Sequence, residues 1–318
     1  MNHEIATPKV LITDSPPPEH LLPLEGIAEV IKGSPDGRLM SREEVLQHAP
    51  DLAAIMNLGE LRVDRELLDA APNLKIVANI AIGTNNLDLP LLAERGIIAT
   101  YIPDAVVNST ADFTMALLLA LTRRIESACQ YVRSGAWRAL QPEQFDGIEL
   151  AGKVLGLVGY GKIGQAVARR AGGFDMQVIH YRRQQTDDPA RRNLDSLLAE
   201  SDIVSLHVPL TPETERLMNR QRFEQMKHGS LFINMARGRV VEESALVEAL
   251  RSCRLAGAGL DVFENEPEVH PALLEMPNVV LTPHIGGATR EARKRARLLA
   301  AENVARLLLG DLPLTPVT

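Results

Sequence analysis

The chain has 318 residues, with 34 Lys and Arg against 41 Asp and Glu, for a formal net charge of −7 at pH 7. At roughly 150 residues per domain, that length makes about two domains, each large enough to bury its own core. An acidic balance offers no net positive field to phosphates, and 3% aromatic residues leave few rings for stacking bases, so nucleic acid is disfavoured as a partner.

Two cysteines, Cys129 and Cys253, are too few for a disulfide framework or a thiolate metal cluster. Both are read as inert core residues in helices, and no metal is expected. Residues 1–8 lack a basic stretch followed by an apolar one, so they do not read as a signal peptide. The longest apolar run, 113–121, is about half of the ~20 residues that cross a bilayer. It reads as a helix buried in a core or a subunit contact. A cytoplasmic protein with no membrane contact is the expectation.

In chain order, apolar runs over 9–13, 28–32, 52–57 and 74–80 predict strands. Helices fall between them. One is opened by Ser41 with Glu44 three residues on, a capping box; others cover 64–71, before Pro72, and 88–95, before Gly96. Such alternation predicts a small parallel α/β domain covered on both faces. A long helix over 109–134 follows, ending at Gly135. Then six strands, over 154–158, 177–181, 203–207, 231–234, 256–261 and 279–282, suit a doubly wound sheet. A last helix over 289–309 is expected to return to the first domain. The expected division is therefore 6–102 with 289–318 for one domain and 103–288 for the other, with the cleft between them as the default active site.

Gly159-Tyr-Gly161-Lys162-Ile163-Gly164 stands directly between the strand over 154–158 and a helix. In a G-x-G-x-x-G turn the first glycine permits the tight bend and the second lets a pyrophosphate approach. The third packs the helix against the strand, so that the helix N-terminus faces the anion. The motif within a β-α-β unit predicts dinucleotide binding. About 20 residues on, where an NAD site places Asp or Glu, stand Arg182 and Arg183, with no acid before Asp187. Two guanidiniums match a 2′-phosphate, so NADPH is preferred over NADH; the alternative is a pair of solvated surface arginines.

Further on come His207-Val208-Pro209-Leu-Thr-Pro-Glu-Thr214 and Phe232-Ile-Asn-Met-Ala236-Arg237-Gly-Arg239. Gly257-Ala-Gly-Leu-Asp261-Val-Phe-Glu-Asn-Glu266-Pro267 and Asn278-Val-Val-Leu-Thr-Pro283-His284-Ile-Gly-Gly287-Ala-Thr follow. In this order they closely resemble the D-isomer-specific 2-hydroxyacid dehydrogenases, over nearly the whole chain. Within that family the sequence is most similar to glyoxylate/hydroxypyruvate reductases and 2-ketogluconate reductases. The resemblance implies a Rossmann domain inserted into a smaller flavodoxin-like substrate domain.

It also implies catalytic roles for Arg237, Glu266 and His284. An imidazole can protonate the developing alkoxide, a carboxylate can hold its far nitrogen, and a guanidinium can bind the keto acid. Cofactor contacts follow from the resemblance at Val208, Pro209, Thr214, Thr110, Ala236, Asp261 and Gly287, with Thr110 open to a plain helix-capping role. The substrate carboxylate is expected on the backbone of Ala81, Ile82 and Gly83. Leu58 and Gly59 line the same cleft or form an ordinary turn. Trp137 either closes the site, across a homodimer formed through the cofactor domains, or simply packs. The implied reaction is NADPH-dependent reduction of small 2-keto acids (glyoxylate, hydroxypyruvate, 2-ketogluconate) to (R)-2-hydroxy acids. The alternative is a dinucleotide-sensing interaction protein like the corepressors of this fold.

Overall fold

Apolar strands without polar alternation need cover on both faces, which a parallel sheet between helices supplies. In the computed structural model, which describes residues 7–141, 143–184 and 187–317, two such sheets form. They lie in separate units, one of Met1–Val106 with Ala288–Thr318 and the other of Val107–Gly287.

The first unit contains β1 (Lys9–Ile12), β2 (Glu29–Lys32), β3 (Leu52–Asn57), β4 (Ile76–Asn79) and β5 (Ile98–Thr100), all parallel, in the order β2-β1-β3-β4-β5. This is the flavodoxin-like order. Successive residues alternate between its faces. Leu11, Ile55 and Val77 join Val45, Leu67 and Leu92 of the helices Arg42–His48, Arg65–Ala70 and Leu89–Glu94. Val10, Ile12, Met56 and Ile76 instead meet Ala300, Ala301 and Val304 of the last helix, Arg290–Leu308. Arg297 of that helix makes a buried ion pair with Asp14, just past β1. β5 lies outside the strands predicted above.

The second unit carries β6 (Val154–Val158), β7 (Gln177–Tyr181), β8 (Ile203–Leu206), β9 (Ser230–Asn234), β10 (Leu255–Leu260) and β11 (Val279–Leu281), in the order β11-β10-β9-β8-β6-β7. An isolated parallel bridge between His180 and Arg191 adds the chain after β7 at the outer edge. With that segment counted third, the order becomes the doubly wound 3-2-1-4-5-6 with a further strand, and the direction reverses between β6 and β8.

The helix expected over 109–134 is two, Val107–Thr122 and Ile125–Arg133, separated by Arg124 in the left-handed region. The reason is non-local. The amide of Ile148 bonds the Thr122 carbonyl at 2.8 Å, and Gly147 passes so close that a Cβ there would lie 2.3 Å from that oxygen. The first helix spends its apolar side inside the unit, against the helix Lys162–Gly172 and β10. The second buries none of its residues. Accordingly Cys129 is exposed rather than part of a core, and so is Cys253, which follows the helix Glu243–Arg251 in left-handed backbone. Trp137 is 57% exposed, so within its own unit much of its ring faces solvent.

Candidate active site

The glycine turn lies at the C-terminal end of β6, beside the switch point. Gly159 has φ +103°, and a Cβ there would lie 2.5 Å from the His207 carbonyl at the end of β8. A Cβ on Gly164 would lie 2.2 Å from the Gly159 carbonyl, so the helix Lys162–Gly172 can approach only without one. At Gly161 a Cβ would meet nothing within 4 Å. The protein itself therefore does not demand glycine there, and its smallness leaves the backbone open to a ligand. No side chain caps this helix at Gly161, so its first amides face that opening, as a pyrophosphate requires. Lys162 is exposed, whereas Ile163 leans on the core.

Arg182 and Arg183 follow β7, and Arg182 donates to Gln184 at 2.7 Å. Val208 and Pro209 follow β8, where the Thr214 hydroxyl closes a turn by donating to the Pro209 carbonyl at 2.6 Å and accepting from the Thr211 amide at 2.8 Å. Thr110 lies inside the helix Val107–Thr122 rather than at its cap.

The three residues with implied catalytic roles lie in the chain that follows β9, β10 and β11 respectively. His284 Nδ1 is 2.8 Å from Glu266 Oε2, while Glu266 Oε1 accepts the Phe263 amide at 3.1 Å. Burial alone would push the Glu266 carboxyl up. The His284 hydrogen bond and charge, the Phe263 amide and the nearby Arg237 charge outweigh that and hold it below the usual range. Arg237 is itself largely enclosed, which lowers its guanidinium pKa, partly offset by Glu266. Its Nη1 donates to the Ala236 carbonyl at 2.8 Å.

His284 has φ +53°, a conformation that needs support in a non-glycine residue. Asp261, 2% exposed, supplies it. Its carbonyl accepts the His284 amide at 2.9 Å, and its carboxylate accepts from Ile285 at 2.8 Å, Gly286 at 2.7 Å and the Thr282 hydroxyl at 2.7 Å. The sequence reading named Gly287 and overlooked Gly286, where a Cβ would strike Met235 at 2.6 Å. It also overlooked Gly238, where a Cβ would sit 1.7 Å from the Phe263 carbonyl.

In the first unit, Gly59, with φ +102°, brings the loop after β3 against Ala81 in the loop after β4. Three asparagines set both loops. Asn57 accepts from the Gly59 and Leu61 amides, and Asn79 donates to the Gly83 carbonyl at 2.8 Å. Asn86 links the two, donating to Leu61 O and to Asn79 Oδ1, each at 3.1 Å. Among the described residues, the amides of Ala81, Ile82 and Gly83 have no protein acceptor. Three adjacent unbonded donors are what a backbone anion site would need.

The family model for the D-isomer specific 2-hydroxyacid dehydrogenase NAD-binding domain matches residues 115–286. The chain belongs to this family. Full-length relatives of this 2-hydroxyacid dehydrogenase include a glyoxylate reductase of Pyrococcus furiosus, 43% identical over 98% of this chain and 95% of the relative. A Thermus thermophilus crystal structure matches with a TM-score of 0.92 at 43% identity, covering 98% of this chain and all of that one. An NADPH-dependent glyoxylate/hydroxypyruvate reductase of Sinorhizobium meliloti, crystallised with NADP and malonate, matches with a TM-score of 0.86 at 32% identity, over 98% of this dehydrogenase and 97% of the other.

Proposed function

We propose that this dehydrogenase reduces small 2-keto acids, glyoxylate and hydroxypyruvate first among them and 2-ketogluconate as a longer one, to (R)-2-hydroxy acids with NADPH. The His284–Glu266 pair carries the reading. With Nδ1 bound to the carboxylate, Nε2 of the imidazolium is the atom left to deliver a proton, and the carboxylate stabilises the charged ring before the transfer. Arg237, held in low-dielectric surroundings near Glu266, is suited to bind the keto acid and polarise its carbonyl. When bound, the nicotinamide supplies the hydride to C2, and the proton from His284 completes the alcohol. In the first unit, the amides of Ala81, Ile82 and Gly83 are fitted to a carboxylate.

NADPH is favoured over NADH because the chain after β7 offers Arg182 and Arg183. Asp188, an acid of the kind that accepts ribose hydroxyls, has its oxygens on His180 and on the Ala190 amide. The S. meliloti relative, described as NADPH-dependent and bound to NADP and the dicarboxylate malonate, supports both parts of this reading. We also assign a second copy of the chain as the partner of the exposed apolar side chains Ile125, Val132, Trp137 and Leu140.

The test is initial rates of NADPH and NADH oxidation, side by side, with glyoxylate, hydroxypyruvate and 2-ketogluconate. Fast NADPH oxidation with much weaker NADH oxidation is expected, and His284→Asn should lower kcat by about 10²–10⁴. Full turnover by that variant would remove His284 as proton donor. Tight dinucleotide binding without turnover of any keto acid would point to a sensor instead.

A further inference from the structure

Tyr160, the middle residue of Gly159-Tyr160-Gly161, lies flat on His180, with ring centroids 3.7 Å apart and planes 5° from parallel. His180 belongs to β7 and is 1% exposed. Its Nε2 is 2.9 Å from Asp188 Oδ2, and Asp188 Oδ1 accepts the Ala190 amide at 2.9 Å. The His180 hydrogen bond, then the Ala190 amide and, more weakly, the charge of Arg182 hold the Asp188 carboxyl below its usual range. The main chain repeats the link, since the His180 amide donates to Ala190 O at 3.0 Å and Arg192 donates to His180 O at 2.9 Å. The chain that leaves β7 at Tyr181 is thus clamped back onto β7 by Ala190. Arg182 and Arg183 follow Tyr181 directly, ahead of this clamp.

A buried imidazole is costly where a leucine would pack, unless its hydrogen bond does something. Here it joins three things through side chains: the glycine turn, β7 and the segment that closes the arginine loop. Two guanidiniums on a freely hanging segment would lose backbone and side-chain freedom on gripping a 2′-phosphate, whereas anchoring the chain on both sides of them leaves less freedom to lose. We propose that His180 and Asp188 are positioning residues that set the discrimination between NADPH and NADH, by fixing the arginine loop against the Tyr160 turn. They touch neither substrate nor reacting atoms, and the inference rests on the NADPH reading above.

The experiment compares wild type with Asp188→Ala, Asp188→Asn and His180→Phe. Asp188 is partly exposed, and Phe keeps the ring stack, so these changes leave the core filled. Readouts are the KM values for NADPH and NADH, and calorimetric binding of 2′,5′-ADP against 5′-AMP. Asp188→Ala and His180→Phe should each lower the NADPH-to-NADH preference and the preference for 2′,5′-ADP by about tenfold, the loss of one charge-assisted hydrogen bond. Asp188→Asn retains an acceptor for the imidazole N–H and should recover most of the preference. A wild type that discriminates, with Asp188→Ala and His180→Phe discriminating equally well, overturns the positioning role alone. A wild type that binds 2′,5′-ADP no better than 5′-AMP overturns the NADPH reading, and this inference with it.

Discussion

His207 presents its carbonyl to the space that a Cβ on Gly159 would fill, while its ring is shut in beside the Ser205 hydroxyl at 2.9 Å. Burial pushes its pKa down to about 4, from an ordinary 6.5. The folded state therefore keeps this ring neutral where the unfolded chain would protonate it, so stability should fall as pH drops from about 6.5 to about 4 and level off below. The full difference corresponds to at most about 3 kcal/mol. Glu266 and Asp202, whose carboxyls are depressed, lose their contributions only below about pH 4.5, the carboxylate range. Guanidinium unfolding at pH 7, 5.5 and 4.5 should show the slope in wild type and a flatter one in His207→Gln; equal slopes would mean the ring is not the titrating group. Neither the enclosure of His207 nor the occupied carboxylate of Asp261 is legible in sequence, because both depend on which neighbours arrive. The pairing of Glu266 with His284 was expected only through the family resemblance, since sequence spacing alone does not say that β10 and β11 lie side by side.

At the scale of elements, the site is held by close backbone passages that only glycine allows. Arg237, in extended backbone at φ −143°, leads into the 3-10 turn Gly238–Val240, which presses on the Phe263 carbonyl. The Phe263 amide in turn holds Glu266. Gly238→Ala should therefore push the Phe263–Glu266 stretch away from Arg237 and disturb the Glu266–His284 bond. A shift of about 1 Å there is expected to lower kcat by roughly 10². Rates on a variant of unchanged circular dichroism are the check, and undiminished kcat would show that the loop yields without cost. The parallel strands other than β5 were readable because most of them are plain apolar runs. The break at Arg124 was not, since the amide that takes the Thr122 carbonyl arrives 26 residues later at Ile148. Nor could the sequence show that the helix carrying Cys129 lies on the surface.

For the molecule as a whole, a net charge of −7 keeps unrelated surfaces apart, so apolar side chains left exposed have to be explained individually. Ile125, Val132, Trp137 and Leu140 fall in one stretch of chain, and Leu140 is 86% exposed. Light scattering should give twice the 34.8 kDa of the chain, and Trp137→Glu with Leu140→Asp should return the single value. A wild-type monomer would remove the second copy from the reading. The last helix has a different consequence, one of timing. Val10, Ile12, Met56 and Ile76 are made early in synthesis, yet the face they form is covered by residues made more than two hundred positions later. Until Ala300, Ala301 and Val304 leave the ribosome, that half of the first sheet stays bare, whereas everything the second unit needs is already in hand by Gly287. The cofactor-binding unit can thus settle first, and the nascent chain is most exposed to misassociation in the interval before residues 300–304 emerge.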